Sequence, residues 1–474
     1  IVGGEACPGG APPISVENPA TEKPCGEIIP YTPALLDRAL QAAHEAFAAW
    51  SRTTPAERSR WMKRLADRLD ESRDEILELL IAETGKPADN AAYDFGMLTT
   101  CLRFFAEEVH RLRDEMIPDP ADAYVHKLIR HPVGVVVGFL AWNFPLLNLG
   151  YKLGPILASG CTCVIKPSAT TPLATARVAE LMTEIGFPAG VVNVVLGRDR
   201  EVARRLLTSP IPAMITMIGS TEAGCEMVRQ AATTVKRASL ELGGNAPVIV
   251  YPDFDPALAA KRTVTLKLGN SGQVCVSPNR CFVHRSKLTA FLQCAEEWME
   301  NVSFGPGAGP EPRIGPLISA KHLADVLERV DNARNQGATV ICGGSRVPKK
   351  TCPTGHYMMP TLLCCDRSLD ICRNEIFGPV LPVIPFDDDD DVIAWANDCP
   401  HGLASYVFTD DLETATACAE RLEYGSICIN EPYFSVELPH GGLKQSGIGK
   451  DCSHLSLEEY YDIKRVTVRR TTVG

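Results

Sequence analysis

The run Val135-Val136-Val137-Gly138-Phe139 is continuously apolar, as a strand is when its sheet is covered on both faces. Similar short runs follow it, and stretches of helical length separate them. This alternation predicts right-handed βαβ units in a doubly wound, mostly parallel sheet, which is the architecture of an α/β protein. The apolar runs are Val135–Phe139, Thr162–Ile165, Val191–Val195, Ala213–Ile218 and Pro247–Val250, and the helical stretches are 146–159, 173–186, 199–207 and 222–232.

Ahead of this region the sequence predicts two helices and no strand. Residues 33–50 place apolar side chains at three- and four-residue intervals, which makes one helical face. Thr54 precedes Pro55 and stands three residues before Glu57, a pattern typical of a capped helix start. Gly85 marks the end of this second helix.

The composition narrows the class of protein. The chain has 474 residues, 45% of them hydrophobic, which is enough apolar material for two packed domains. Its formal net charge of -11 argues against a nucleic-acid partner, because phosphate binding draws on clustered Lys and Arg. No apolar run reaches the length of about 18 residues that a membrane span needs, so no membrane partner is expected.

The cysteines indicate a reducing environment. There are 18 of them, spread over a long chain rather than concentrated in a short secreted domain, and we find no secretory apolar segment. We therefore expect a cytoplasmic protein whose cysteines are mostly small core residues. No two of them have the CxxC spacing, so no metal site is predicted.

One cysteine and one glutamate stand out by their local sequence. Gly272-Gln273-Val274-Cys275 places a thiol just after a glycine in a polar turn, which predicts an exposed, activated nucleophile. In Leu240-Glu241-Leu242-Gly243-Gly244, apolar neighbours raise the pKa of the carboxyl group toward that of a useful base. The pair predicts covalent catalysis, and by itself it suits a protease or an acyltransferase equally well.

Other segments suggest a ligand cleft. Asn143, within Ala141-Trp142-Asn143-Phe144-Pro145, follows the first strong strand, where α/β sheets bind ligands, and its amide can donate to an oxyanion. Gly219-Ser220 opens a helix at which a pyrophosphate could approach free N–H groups. Lys166 ends another strand beside that cleft, and Glu375-Ile376-Phe377-Gly378-Pro379 joins a carboxylate and an aromatic ring to a rigid turn.

Taken in order, these motifs resemble the signature of the NAD(P)-dependent aldehyde dehydrogenase superfamily, over nearly the whole chain. Further matches lie near both ends. The motifs are Asn18-Pro19-Ala20-Thr21, Trp142-Asn143-Phe144-Pro145, Lys166-Pro167-Ser168, Gly219–Gly224, Glu241-Leu242-Gly243-Gly244, Gly272-Gln273-Val274-Cys275, Glu375–Pro379, Ala396-Asn397-Asp398 and Gly441–Gly447.

The resemblance implies roles for individual residues. Cys275 attacks the aldehyde, Asn143 and the Cys275 amide hold the oxyanion, and Glu241 activates the water that hydrolyses the thioester to a carboxylic acid. The cofactor is NAD or NADP, and seven residues are expected to bind it. In that set Lys166 and Glu375 hold the ribose units and Ser220 the pyrophosphate, and the remaining members are Trp142, Gly219, Leu242 and Phe377.

The resemblance also implies a domain plan. A Rossmann-type cofactor domain comprises residues 1–118 and 137–243, and an α/β catalytic domain comprises 244–440. Residues 119–136 and 441–474 form an oligomerisation hairpin and tail. Their strand-like stretches, Tyr124–Ile129 and Asp462–Val468, are either surface hairpins or edges that pair with another subunit, and pairing is favoured. A homodimer or homotetramer is therefore expected.

Departures from the family pattern concern the cofactor and the substrate. Many NAD-preferring members have an acidic residue where this chain has Ala169, so we expect NADP to be accepted at least as well as NAD. The chain is most similar to the succinate-semialdehyde and lactaldehyde branches. The arginines that bind a distal carboxylate in semialdehyde enzymes are replaced by Tyr151 and Gly269, which together with His440 favours a short, uncharged or hydroxylated aldehyde.

Three alternatives stay open. The chain could act on a semialdehyde such as succinate semialdehyde. A coenzyme A-acylating enzyme would share Cys275 without needing Glu241 as a hydrolytic base. A non-enzymatic relative is expected to lack at least one of Cys275, Glu241 and Asn143, and this chain has all three.

Overall fold

A computed structural model describes residues 1–388 and 390–470. The helices of this part of the chain are α1 (Pro33–Trp50), α2 (Pro55–Glu71), α3 (Arg73–Thr84), α4 (Ala88–Glu108), α5 (Pro145–Ser159), α6 (Leu173–Glu184), α7 (Asp199–Thr208), α8 (Thr221–Ala231), α9 (Pro256–Leu268), α10 (Arg285–Glu300), α11 (Ala320–Asn335), α12 (Asp370–Arg373), α13 (Val392–Asn397), α14 (Leu412–Arg421) and α15 (Ser453–Glu459). A short 3-10 turn, Gly269–Gly272, follows α9.

The strands alternate with these helices over most of the chain. They are β1 (Ile14–Asn18), β2 (Lys23–Ile28), β3 (Glu115–Ile117), β4 (Tyr124–Pro132), β5 (Val135–Phe139), β6 (Thr162–Lys166), β7 (Val192–Val194), β8 (Pro212–Ile218), β9 (Arg237–Glu241), β10 (Ala246–Val250), β11 (Pro278–His284), β12 (Ser303–Phe304), β13 (Arg313–Ile314), β14 (Thr339–Cys342), β15 (Thr361–Cys364), β16 (Val380–Phe386), β17 (His401–Gly402), β18 (Ala404–Phe408), β19 (Ser426–Ile429), β20 (Leu443–Lys444), β21 (Gly447–Ile448) and β22 (Tyr461–Arg469).

The first large sheet has the order β21-β9-β8-β5-β6-β7. Its strands are parallel except β21, which runs antiparallel to β9. Strand β5 pairs with β6 on one side and β8 on the other, so the chain winds away from it in both directions. The carboxyl end of such a central strand is where ligands bind in doubly wound folds.

The second large sheet has the order β14-β15-β16-β11-β10-β18-β19. It too is parallel apart from one edge strand, β14. Strand β10 lies between β11 and β18, which gives this sheet its own point of reversal. The predicted α/β class with two sheet-based units is confirmed.

The assignment of Pro247–Val250 to the first sheet is wrong. These residues lie in β10 of the second sheet. In the first sheet the strand beside β8 is instead β9, which the sequence did not indicate. Strand β9 escaped notice because its residues, Arg-Ala-Ser-Leu-Glu, are not a continuous apolar run, although Leu240 and Glu241 are both buried.

The prediction of two helices and no strand before the sheet is also wrong. A hairpin of β1 and β2 comes first, and four helices follow it. The predicted second helix breaks at Ser72, whose hydroxyl accepts a hydrogen bond from Arg68 Nη1 at 2.7 Å. The apolar stripe continues in register across that break, so the sequence pattern does not show it. Gly85, the predicted end, follows α3 directly, and Pro87 precedes α4.

Each large sheet is covered by apolar layers on both faces. In the first sheet, α2, α4, α5 and α6 pack around one core, which includes Leu65, Leu102 and Ile165, and α1 and α7 contribute to the other. The second sheet has a corresponding pair of cores. This double coverage explains why the central strands are apolar at every position.

A third sheet stands apart from these cores. It is antiparallel, with the order β22-β4-β3, and β22 pairs with β4 along nine residues from Tyr461 to Arg469. All of β22 after Tyr461 is exposed. This sheet differs from the predicted hairpin and tail in two ways. Its strand β3 lies before residue 119, outside the predicted hairpin. Strands β20 and β21, which belong to the predicted tail, pair with β17 and β9 and not with this sheet. The domain division by residue number stays a prediction.

Candidate active site

One cavity of about 600 Å³ lies between the carboxyl end of the first sheet and the segments that precede β11 and β16 of the second sheet. Nine of the ten residues predicted for catalysis or cofactor binding line it: Trp142, Asn143, Gly219, Ser220, Glu241, Leu242, Cys275, Glu375 and Phe377. The tenth, Lys166, is buried at the end of β6 and is not among the lining residues of the described chain. The remaining lining residues come mainly from α4, α5 and the segments around the two sheets' ends.

The turn before Cys275 is fixed by close backbone packing. Gly272 has φ +74°, and a Cβ on it would lie 2.1 Å from the carbonyl oxygen of Gly378. Asn270 and Ser271 also have positive φ, so the chain coils tightly here. Ser271 Oγ donates to the Gly315 carbonyl at 2.7 Å. The thiol is thereby held at a defined place on the cavity wall.

The Cys275 side chain differs from its predicted state. It is half-buried rather than exposed. Burial raises the pKa of the thiol, and the nearby carboxylates of Glu241 and Glu375 raise it further. Hydrogen bonds from the backbone N–H groups of Cys275 and Val276 lower the pKa of the thiol, but burial and the two carboxylates outweigh them, so the predicted activation of the thiol is not found in the protein alone.

Asn143 is tied directly to the Cys275 loop. Its Nδ2 donates to the Gln273 carbonyl at 3.1 Å, and Asn270 Nδ2 donates to the Asn143 carbonyl at 3.0 Å. An amide nitrogen carries two hydrogens, so Asn143 retains a second donor for a ligand. The sequence motifs did not assign any role to Asn270 or Gln273. The side chain of Asn90 also supports the turn, since its Oδ1 accepts from the Asn270 N–H at 2.6 Å.

Glu241 ends β9 as a buried carboxylate. Neither of its carboxylate oxygens has a hydrogen-bond partner within the described chain. Burial, with a smaller contribution from Asp451, raises the pKa of Glu241 well above its ordinary value, against the opposing effects of Lys152 and Lys450. His440 Nε2 lies 3.8 Å from Glu241 Oε2. Glu241 thus has the raised pKa that the sequence predicted.

Lys152 and Asp451 form a buried ion pair behind this carboxylate. The Lys152 Nζ lies 2.7 Å from Asp451 Oδ2 and 2.8 Å from Asp451 Oδ1, and both side chains are almost fully buried. The pair links α5 to the segment after β21. It places one positive and one negative charge near Glu241, with opposite effects on its pKa.

The predicted cofactor residues form one wall of the cavity. Glu375 Oε1 accepts from the Gly244 N–H at 3.3 Å, and burial raises the pKa of Glu375 to about 7. Phe377 has φ +58°, and its ring meets Trp142 edge-on at 5.4 Å. His322, which no motif indicated, bonds through Nε2 to the Phe377 carbonyl at 2.7 Å and so supports this unusual backbone.

The cavity lining around His440 is largely aromatic. Tyr151 lies against His440 with ring centroids 5.7 Å apart, and Tyr93 and Phe434 add further rings. A Cβ on Gly269 would meet no atom within 4 Å, so the glycine leaves open space at the position where the family resemblance expects an arginine in semialdehyde enzymes. No Lys or Arg lines the cavity in the described residues.

Among residues 1–388 and 390–470, no helix is long and apolar enough to cross a membrane. In the same residues, no group of three or more His, Cys, Asp or Glu side chains is arranged to hold a metal ion.

Comparison with known proteins identifies the class. Residues 8–466 match the aldehyde dehydrogenase family. The mitochondrial succinate-semialdehyde dehydrogenase of Arabidopsis thaliana is 38% identical over 96% of this chain and 85% of its own length. An NADP-dependent enzyme from E. coli has a similar structure, with a TM-score of 0.96 and 35% identity over 99% of this chain and 98% of that one.

A betaine aldehyde dehydrogenase from Staphylococcus aureus, solved with NAD+, is equally close in structure. Its TM-score is 0.95 and its identity 32%, covering all of this chain and 98% of that one. The chain therefore belongs to the aldehyde dehydrogenase family. It is an NAD(P)-dependent oxidoreductase that oxidises a short aldehyde to its carboxylic acid.

Proposed function

We propose that Cys275 is the nucleophile of this oxidation. The observation behind the proposal is that Cys275, Asn143 and Glu241 line one cavity although they come from three separate parts of the chain. The Cys275 sulfur adds to the aldehyde carbon and forms a thiohemiacetal. Loss of hydride from that carbon then gives a thioester on Cys275.

Asn143 stabilises the oxygen that becomes negative when the sulfur adds. Its Nδ2 already donates one hydrogen bond to the Gln273 carbonyl, which orients the amide beside the thiol loop. The remaining Nδ2 hydrogen and the backbone N–H of Cys275 are the two donors for the oxyanion. Removing one such donor typically costs about 3 kcal/mol of transition-state stabilisation.

Glu241 is the base for hydrolysis of the thioester. Its ionised carboxylate takes a proton from a water molecule as that water attacks the thioester carbon, which releases the acid and the Cys275 thiol. Burial supports this role because it raises the pKa of the carboxyl group well above its ordinary value. A base with such a pKa is strong enough to activate water.

The residues on the cofactor side fit a dinucleotide. Ser220 caps α8, so the free N–H groups of that helix start at the cavity, where a pyrophosphate would bind. A Cβ on Gly243 would lie 3.0 Å from Glu375 Oε2, so the glycine keeps this wall open. Lys166 and Glu375 would hold the ribose hydroxyls, with Trp142, Gly219, Leu242 and Phe377 along the path. When bound, the nicotinamide accepts the hydride.

For the cofactor we propose that NADP is used at least as well as NAD. Ala169 brings no carboxylate to repel a 2'-phosphate, and Arg198 and Arg200 stand in the following loop. A ratio of kcat/KM above about a hundred in favour of NAD, or roughly 2.7 kcal/mol, would contradict this preference.

For the substrate we propose a short, uncharged or hydroxylated aldehyde. A buried carboxylate without a cationic partner is costly, and the described cavity lining contains neither Lys nor Arg. The second candidate is a semialdehyde, because the Arabidopsis relative is named for succinate semialdehyde. In both cases Glu241 favours water over coenzyme A as the acceptor of the acyl group.

A panel of aldehydes with both cofactors tests these assignments. We expect propanal and lactaldehyde to exceed succinate semialdehyde in kcat/KM, and Cys275→Ala to produce no NADH or NADPH. A strong preference for succinate semialdehyde would favour the second candidate. Turnover by Cys275→Ala would rule out the nucleophile.

We also propose that the protein is a cytoplasmic homo-oligomer that pairs through its third sheet. The exposed strand β22 carries apolar side chains, among them Ile463 and Val468, each 57% exposed, and an unpaired edge of this kind suits a second copy. The described cysteines are all free thiols, which supports a reducing compartment.

A further inference from the structure

The base carboxylate has no hydrogen-bond donor of its own. Both oxygens of Glu241 are buried and unpartnered within the described chain, which is a costly state for an ionised group. Lys152 is engaged by Asp451, and Lys450 Nζ donates to the Gly441 carbonyl at 2.7 Å. These two lysines therefore act on the carboxylate only through their charge.

His440 is placed to supply the missing donor. Its Nε2 lies 3.8 Å from Glu241 Oε2, about one ångström beyond hydrogen-bond distance. The imidazole is held by a two-way backbone bridge between His440 and Asp451, with N–O distances of 2.8 and 2.6 Å. The rings of Tyr151 and Phe434 pack against it at 5.7 and 6.4 Å. A small rotation of the Glu241 side chain closes the gap.

The neighbouring residue makes room for that rotation. A Cβ on Gly441 would lie 2.5 Å from Glu241 Oε1, so any side chain there would push the carboxylate aside. The glycine and the histidine are adjacent in the chain, and together they shape the space around the base.

We propose that His440 is a positioning residue for the general base: its Nε2–H donates to Glu241 Oε2 when that carboxylate is ionised, and this bond favours and orients the form that activates water. The inference rests on the proposed role of Glu241. It concerns the hydrolytic half of the reaction and leaves the attack of Cys275 unaffected.

The charges around the pair agree with a neutral donor. Burial, together with the charges of Lys152 and Lys450, lowers the pKa of His440 to about 4, so the imidazole is uncharged near pH 7. Burial raises the pKa of Glu241 most, Asp451 and Glu459 add to this, and the same two lysines oppose it. A neutral N–H donor offsets part of the rise in the pKa of Glu241 without placing another buried cation in the site.

The test compares His440→Phe with the wild type across pH. Phenylalanine keeps a flat ring and removes the N–H. We expect the acid limb of the kcat profile to move up by about one pH unit or more, which is a loss of about tenfold on the acid side, as for loss of a hydrogen bond to a charged group. The burst of NADH or NADPH in the first turnover should keep its amplitude, because it precedes hydrolysis.

Two further variants distinguish the effect of losing the His440 N–H from the effect of altered ring packing. His440→Gln keeps a donor and should keep the acid limb closer to the wild-type position than His440→Phe does. Phe434→Leu changes the same aromatic contact without removing a donor, and it should leave the limb where it is. If His440→Phe does not fold, His440→Leu removes the same N–H and should move the limb up in the same way. A shift with both His440→Gln and Phe434→Leu would point to packing instead.

An unmoved acid limb in His440→Phe overturns the inference. The inference also fails if the limb is unmoved and KM rises for lactaldehyde but not for propanal. That result would mean that His440 binds the substrate hydroxyl. Glu241→Gln serves as the reference: if it still turns over freely, the proposed base itself is wrong. If Glu241→Gln abolishes hydrolysis and His440→Phe has a wild-type profile, only the role of His440 fails.

Discussion

At the scale of single residues, two glycines in the turn before Cys275 have opposite constraints. Gly272 has φ +74° and no room for a Cβ, whereas a Cβ on Gly269 meets nothing within 4 Å. We expect Gly272→Ala to cost about 1–3 kcal/mol from backbone strain alone, and more from collision with the Gly378 carbonyl. The apparent melting temperature of Gly272→Ala should fall by several degrees, and its kcat should fall as well.

Gly269→Ala is the matched control for that prediction, because it lies in the same turn and lines the same cavity. It should melt close to the wild type and retain activity toward small aldehydes. Equal melting temperatures for the two variants, measured by differential scanning fluorimetry, would contradict the strain assigned to Gly272.

At the scale of secondary-structure elements, the Lys152–Asp451 pair connects α5 to the segment after β21 and sets the charge around Glu241. Asp451 raises the pKa of Glu241, so Asp451→Asn should move the acid limb of kcat down in pH. Lys152 lowers that pKa, so Lys152→Met should move the limb up. A pH profile in which both variants shift the same way would be inconsistent with this arrangement.

The same pair has a predicted effect on stability. Each single substitution leaves one buried charge without its partner, which typically costs about 3–5 kcal/mol. The double variant Lys152→Met, Asp451→Asn removes both charges and should be more stable than the sum of the single losses indicates. Thermal melts of the three variants measure this coupling, and simple additivity would contradict it.

The sequence predicted elements well where one principle decides them. Apolar runs located β5, β6 and β8 to within a residue or two, and the cap at Thr54 lies where its box placed it, with the hydroxyl accepting from Glu57 N–H. The sequence-based prediction failed at β9, because the burial of that strand depends on neighbouring strands and not on its own composition. It failed also at Ser72, where the apolar stripe continues across a break in the backbone.

The sequence likewise predicted part of the candidate active site and missed the rest. The motifs placed nearly every predicted residue on one cavity, since most of them follow strands of the first sheet and the others precede β11 and β16 of the second sheet. They could not show contacts between distant residues, such as the Asn90–Asn270 hydrogen bond across 180 positions or the approach of His440 to Glu241. Nor could they show that the Cys275 thiol is half-buried between carboxylates, because that depends on three-dimensional packing.

At the scale of the whole molecule, the third sheet is expected to join copies of the chain. A charge at Ile463, as in Ile463→Lys, should destabilise that contact because the side chain would face its counterpart in an apolar interface. We expect the wild type to sediment as a dimer or larger and the variant to shift toward the 51.4 kDa monomer. Leu412→Lys is the control, since Leu412 is 78% exposed on α14, away from that sheet. A monomeric wild type, or an equal shift with the control, would contradict the proposed interface.

The proposed reaction proceeds through a thioester that forms on Cys275 and is hydrolysed with the help of Glu241. Mixing Glu241→Gln with an aldehyde and NAD or NADP, followed by mass spectrometry of the protein, tests this most directly. We predict a single burst of NADH or NADPH, slow turnover afterwards, and a mass increase equal to one acyl group on the peptide that contains Cys275. An unmodified Cys275 peptide, or steady turnover at the wild-type rate, would contradict it.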